Sequence, residues 1–203
     1  ASCVATGVPS SALGTDINGG SSQIDSITGG NPNLREEKSD TWGVGVVLQP
    51  SFLPRLSLTV DYYNTKIDNY ISSVGVSYLL KACYGEKKNS WVAYDSSYCA
   101  LLPRNENSYA IEGAVNMLSN TGGLKTSGVD FELNYSVPLN FGVFGAKTGK
   151  LSFRAAGTRL INYTLNPIGS ISELRQDCAG KFGINCGDPY SKLRLNNRIT
   201  WSS

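Results

Sequence analysis

The sequence predicts an all-β fold: an antiparallel meander of about five long strands, of the kind that builds a transmembrane β-barrel. Three observations predict it. Apolar residues recur at every second position through five segments, and the opposite face of each carries charge rather than mere polarity. Short connections (50–55 and 138–149) alternate with long ones (68–108 and 164–190), which is how an outer-membrane barrel places short turns on one side and long loops on the other. Each strand spans about 9 to 12 residues, matching the ~9–11 a tilted strand needs to cross hydrocarbon.

The elements follow in order. Residues 1–37 are rich in Gly, Ser, Asn and Thr without apolar periodicity and read as loop. TWGVGVVLQ sets Trp42, Val44, Val46 and Leu48 on one face. PSFLPR is a proline-bounded turn. LSLTVDYY then places Leu56, Leu58, Val60 and Tyr62 opposite Ser57, Thr59, Asp61 and Tyr63. Apolar residues at 67, 71, 74, 78 and 79 have helical spacing and predict a short helix before Cys83. TSGVDFELNYSV puts Val129, Phe131, Leu133, Tyr135 and Val137 opposite Asp130, Glu132, Asn134 and Ser136. Asn120-Thr121-Gly122-Gly123 could be a hairpin turn. Such a turn would send the second Cys-bearing loop to the short-turn side, so one long strand over 112–137 is the better reading. KLSFRAAGT shows Leu151, Phe153 and Ala155 against Ser152, Arg154 and Thr158, and KLRLNNRITWS shows Leu193, Leu195, Ile199 and Trp201 against Arg194, Asn196, Arg198 and Thr200. Trp42, Tyr62, Tyr63, Tyr135, Tyr163 and Trp201 lie near strand ends or on the apolar face, as an aromatic girdle requires.

Composition narrows the function. The 203 residues include no histidine, which excludes a Ser-His-Asp triad, a Cys-His dyad and a His-based metal site. Eighteen basic and 16 acidic side chains leave a net charge of +2, no electrostatic footprint for nucleic acid. Only 17% of residues are charged, low for a soluble domain. No apolar run approaches the ~18 residues of a spanning helix. The opening ASCVATGVPSSALG lacks a signal-peptide pattern, so the chain reads as an internal segment. No cofactor and no metal are expected, and the protein is not expected to be an enzyme.

Five cysteines occur, none in a CxxC. Two local disulfides, Cys83–Cys99 and Cys178–Cys186, are the simpler reading, each contributing roughly 3 kcal/mol in the chain-entropy model. They imply an oxidising compartment; unpaired cysteines of a cytosolic protein are the alternative. Cys3 is left over and is expected to pair with a partner upstream of the sequence.

Six charges, Asp61, Asp130, Glu132, Arg154, Arg194 and Arg198, fall on the polar strand faces. Asp130 and Glu132 point the same way, which could serve acid/base work or a cation; balanced lumen-facing charge is the better reading. Tyr84, Trp91, Tyr94 and Tyr98 crowd the first Cys-bracketed loop, where they either stack on a planar or sugar ligand or pack against neighbouring loops. On pattern alone, a soluble or surface-exposed disulfide-clipped β-sandwich, an adhesin or lectin-like binding domain, is the alternative.

Several ordered segments resemble TonB-dependent outer-membrane receptors: GGNPNLREEKSDTWGVGVVLQP, LSLTVDYYNTKIDNYI, SNTGGLKTSGVDFELNY and CAGKFGINCGDPYSKLRLNNRITW, over residues 29–203. The resemblance implies a large 22-stranded barrel around an N-terminal plug. It implies uptake of a scarce ligand (siderophore, cobalamin, haem or oligosaccharide) energised by TonB across the outer membrane of a Gram-negative cell. The partners it implies are membrane lipid, the protein's own plug, TonB and that ligand. The expected layout is an internal part of the C-terminal half of the barrel. It comprises extracellular loops over 1–37, 69–108 and 164–190, strand hairpins over 38–68 and 109–163, and a truncated strand over 191–203, without plug.

Overall fold

The computed structural model describes residues 2–15, 23–86, 92–142, 147–183 and 185–202. Five long strands dominate: β2 (Lys38–Leu48), β3 (Leu56–Asp68), β7 (Gly123–Leu139), β8 (Gly149–Asn166) and β10 (Leu193–Ser202). Short strands complete the set: β1 (Ser26–Ile27), β4 (Ile71–Ser73), β5 (Ala114–Val115), β6 (Leu118–Asn120) and β9 (Gln176–Asp177). Two α-helices occur among the described residues, α1 (Ser2–Ala5) and α2 (Val76–Tyr84). Among the described residues no helix is long and apolar enough to cross a membrane.

The long strands hydrogen-bond in the order β10-β8-β7-β3-β2, with β9 also on β8. Each long strand therefore lies beside the next in sequence, which is the expected meander. β8 and β10 are antiparallel, with Leu193 opposite Arg159 and Trp201 opposite Leu151. At 17 and 18 residues, β7 and β8 are longer than the alternation alone suggested.

The chain divides into two units. The first comprises residues 39–66, 125–164 and 177–203, and contains most of the long sheet. Alternation segregates its faces: Trp42, Val44, Val46, Leu48, Leu195 and Ile199 are all exposed on the apolar side. A sandwich would cover such a face with a second sheet, whereas the described residues leave it exposed. Glycines give bulky neighbours room. A Cβ at Gly157 would sit 2.8 Å from the Phe131 ring, and one at Gly128 would sit 2.8 Å from the Tyr63 ring and 2.9 Å from the Arg159 carbonyl. The Cys178–Cys186 disulfide clips the loop after β9, and the Cys178 amide donates to the Tyr163 carbonyl at 2.7 Å.

The second unit comprises residues 1–38, 67–124 and 165–176. Its core forms around α2, which buries Tyr78, Leu79, Ala82 and Cys83. Tyr78 and Ala82 pack with Ile168, Ile171 and Leu174. Leu79 and Cys83 pack with Leu102 and Ala114. The Cys83–Cys99 disulfide joins α2 to the 3-10 turn at Ser96–Leu101. Gly75 and Gly85 flank the helix at positive φ, conformations that glycine adopts without a Cβ clash.

Two expectations change. The helical spacing over 67–79 spans three elements: Ile67 lies in β3, Ile71 in β4, and the helix begins at Val76. Residues 112–137 form no single strand either. β5 and β6 precede a bend at 121–122, and the regular strand starts at Gly123. There is still no reversal. β6 pairs antiparallel with β4 (Asn120 opposite Ile71), and Gly123 packs against the Ile67 carbonyl, so the pairing continues through the bend.

Candidate functional site

The polar face of the sheet gathers the six charges. Two grooves run along it. One, of about 650 Å³, is lined by Asp61, Asp130, Glu132 and Arg194 among others; the other, of about 350 Å³, is lined by Arg55, Lys150, Arg154 and Arg198. The acids thus cluster in the first groove, with Arg194 beside them, and the charges lining the second are all cations. Arg154 Nη2 donates to Glu132 Oε2 at 2.9 Å, and Asn134 Nδ2 donates to Glu132 Oε1 at 2.8 Å. Thr158 Oγ1 donates to Asp130 Oδ1. Arg198 lies directly opposite Arg154 in the ladder, a like-charge pair that the Glu132 carboxylate partly offsets. Asp61 fills space that Gly45 leaves open, since a Cβ there would sit 2.9 Å from its Cγ. Asp130 and Glu132 each have a hydrogen-bond donor beside them and no histidine within the chain to work with. The arrangement is a solvated, mixed-charge wall. No group of three or more acidic or Cys residues with metal-holding geometry occurs among the described residues.

The loop unit holds the aromatic candidates. Tyr84 accepts a hydrogen bond from Arg104 Nη2 at 2.9 Å, and that guanidinium lies over its ring at 5.6 Å. Tyr94 donates to Glu86 Oε1 at 3.0 Å and packs on the Tyr78–Ile168 cluster. Tyr98 packs on both clusters. Burial first, and then the neighbouring carboxylates (Glu86 for Tyr94, Asp95 for Tyr98), push both phenols above their ordinary range. Both stay protonated donors at neutral pH. Trp91 lies outside the described residues. Cys3 is exposed and free.

Tyr98 also lines a cavity of about 300 Å³ with Asn31, Leu79, Asn116, Asn120 and Ile168. Its lining includes no Asp, Glu, Lys or Arg among the described residues. No periodicity marks these asparagines in the sequence. Asn116 Oδ1 accepts from the Gly75 amide at 2.9 Å, which fixes the start of α2. Asn120 accepts from the Arg35 amide at 2.8 Å and donates to the carbonyls of Arg35 and Asn69 at 2.8 and 2.9 Å. Glu37 Oε1 accepts from the Ile71 amide at 2.6 Å. The segment NPNLREE is thereby laid along β6 and β4 by side chains that replace ladder bonds.

Two expected results test this unit. Asn120→Ala removes three hydrogen bonds, each worth about 0.5–1.5 kcal/mol. Hydrogen exchange at the Arg35 and Ile71 amides should speed by at least tenfold, with amides of β8 and β10 unchanged. Asp95 accepts from the Ser97 amide and hydroxyl at 2.9 and 2.6 Å, and these bonds hold its carboxyl below the ordinary carboxylate range. A depressed folded pKa means that the cap is fully present above the unfolded value and is lost as pH falls through the folded one. Protection of amides 97–101 should therefore persist from neutral pH down through the usual carboxylate range and fail below it. Asp95→Asn should abolish that acid step.

Comparison with known proteins agrees with the architecture. Residues 5–188 match the family described as TonB dependent receptor-like, beta-barrel. No curated protein and no solved structure matches the chain. A match over nine-tenths of the sequence, on a meander of long two-faced strands, places this chain in the TonB-dependent receptor β-barrel family.

Proposed function

We propose that this chain is part of the wall of an outer-membrane receptor that takes up a scarce ligand, of the siderophore, cobalamin, haem or oligosaccharide class, using energy from TonB. The family is one of receptors and transporters of the Gram-negative outer membrane, not of enzymes. The observation that carries the reading is the separation of the sheet's faces. An uncovered apolar face from Trp42 to Ile199 suits lipid, and the charged face from Asp61 to Arg198 suits a water-filled lumen holding a plug. The long loops over 69–108 and 164–190 would face the outside of the cell. The Tyr98 cavity, neutral and part aromatic, fits an uncharged ring or sugar unit better than an anionic chelate. Tyr84 and Tyr94 serve that loop as packing groups.

Solubility tests the membrane part. The intact protein should fractionate with outer membranes and leave them only in detergent. A protein that is folded and monodisperse in plain buffer overturns the reading. For transport, cells should accumulate a labelled ligand from these classes only while TonB is present, and accumulation that persists without TonB removes the energised step.

A further inference from the structure

Two phenols meet at the base of the second long loop. Tyr163 stands near the end of β8, and Tyr190 just before β10. Their rings stack with centroids 3.9 Å apart and planes 22° from parallel, and the Tyr163 hydroxyl donates to the Tyr190 oxygen at 3.0 Å. Both residues are half-buried. Because the rings are close at the centre and again at the hydroxyl, the carbons ortho to the two oxygens lie face to face at van der Waals range. The backbone holds this arrangement from both sides. The Tyr163 carbonyl accepts from the Cys178 amide at 2.7 Å, and the Tyr190 carbonyl accepts from the Gly180 amide at 2.6 Å. The Cys178–Cys186 disulfide anchors the segment that carries both amides, and Cys178 is fully buried. Two residues beyond Tyr190, the Lys192 carbonyl accepts from the Leu160 amide at 2.9 Å, next to the β8–β10 ladder. Gly180 has φ +71, and a Cβ there would press on the Lys192 side chain at 2.6 Å, so this segment lies tightly against the chain leading into β10.

We propose that Tyr163 and Tyr190 are an oxidative cross-linking site, at which a one-electron oxidant fed by hydrogen peroxide joins the two rings into a dityrosine staple. The site depends on ring geometry and stands whether or not the sheet borders lipid. Each phenol gives up one electron and its hydroxyl proton, leaving a phenoxyl radical that shares its spin with the ortho carbons. Those carbons bond to each other along the stacking direction, perpendicular to both rings, as radical coupling requires. The two ortho hydrogens then leave as protons and both oxygens are reprotonated, which restores two phenols. The two electrons and two protons lost overall convert one hydrogen peroxide into two waters. Radicals free in solution must first find each other. Here the reacting carbons are already in contact, so the coupling is effectively unimolecular. The link spans a sequence separation of 27 and closes the whole loop at its base. The Cys178–Cys186 disulfide closes only 8 of those positions, and a carbon–carbon bond, unlike a disulfide, is not open to thiol exchange. Both disulfides suit an oxidising compartment, which is where such oxidants are met.

A haem peroxidase with hydrogen peroxide, applied to the intact protein in the membrane or detergent that keeps it folded, tests the proposal. After thiol reduction and trypsin digestion, mass spectrometry should find residues 160–175 and 182–192, each carrying one tyrosine of the pair, as a single species two hydrogen atoms lighter than their sum. Tyr163→Phe and Tyr190→Phe keep both rings and should each lower the yield of that species at least about tenfold. Tyr62→Phe, at a ring that meets Trp42, should leave it unchanged. In the cross-linked chain, reduction of Cys178–Cys186 should leave exchange at the Gly180 amide about tenfold slower than in the reduced chain without the link. Joined peptides that persist in either Phe variant of the pair, links formed only between two copies of the chain, or oxidation that ends in hydroxylated rings would each overturn the site. An equal loss in Tyr62→Phe overturns it too, because it reports indiscriminate oxidation. Gly180 exchange that is the same with and without the link overturns the stapling role.

Discussion

Arginine in place of Val60 or Leu133 is expected to destabilise the protein in a bilayer by about 2–4 kcal/mol at the midplane. Arginine in place of Thr59 or Asn134, one position away on the same strands, should cost less than about 1 kcal/mol. The contrast arises because adjacent strand residues face opposite media. Val60 and Leu133 belong to the apolar face that continues as Val46, Phe131 and Leu195, where nothing solvates a guanidinium. Thr59 lines the groove with Asp61 and Glu132, and Asn134 lines the groove with Arg154 and Arg198. An arginine at Thr59 would meet carboxylates in water. One at Asn134 would lose the partly buried hydrogen bond to Glu132 and join an already basic wall, a repulsion that water and salt screen. Reversible urea unfolding in lipid vesicles measures the four variants on one scale. Equal tolerance on both faces would reverse the assignment of lipid and lumen.

That contrast depends on a parity that the sequence displays openly. Where eight or nine residues alternate, as from Leu56 to Tyr63 or from Val129 to Val137, period 2 is a strong pattern and the strand is legible. Alternation also foretold which charges share a face. In β8 the alternation continues past Thr158 and sets Arg159 on the same face as Phe153 and Leu151. The loop unit was far less legible. β4 and β6 have three residues each, too few for a period, and they exist because Asn120, Glu37 and Thr121 supply bonds from distant segments. Tertiary contacts of that kind leave no trace in spacing. The helical spacing from Ile67 was real as arithmetic but crossed a strand end, Asn69 at positive φ and Gly75 before the helix began. Tyr94 and Tyr98 were visible as aromatics in a clipped loop. That they would seal the α2 core depended on Ile168, Ile171 and Leu174, seventy residues further along the chain.

Cutting the Cys83–Cys99 bridge should therefore cost more than a loose loop. The pair closes a loop over a sequence separation of 16, for which the chain-entropy model gives roughly 3 kcal/mol. Cys83 is itself buried with Leu79, Leu102 and Ala114, so its replacement by serine adds an unpaired hydroxyl to an apolar cluster. The amides of Tyr94 and Asp95 both donate to the Ala82 carbonyl, at 3.1 and 3.0 Å, and hold the second half of the loop against α2 only while the bridge restrains it. The double variant Cys83→Ala/Cys99→Ala separates the bridge from the polarity effect. It should bring cleavage by protease within 92–102 and loss of exchange protection across α2, while the β8–β10 ladder stays protected. The Cys178–Cys186 bridge, at a separation of 8, closes a smaller loop and should cost less, roughly 2.5 kcal/mol on the same model. Its loss should expose the segment around Gly180 and leave α2 untouched. If removing either bridge unfolds both regions together, the loops and the sheet form one cooperative unit and the local account of these disulfides fails.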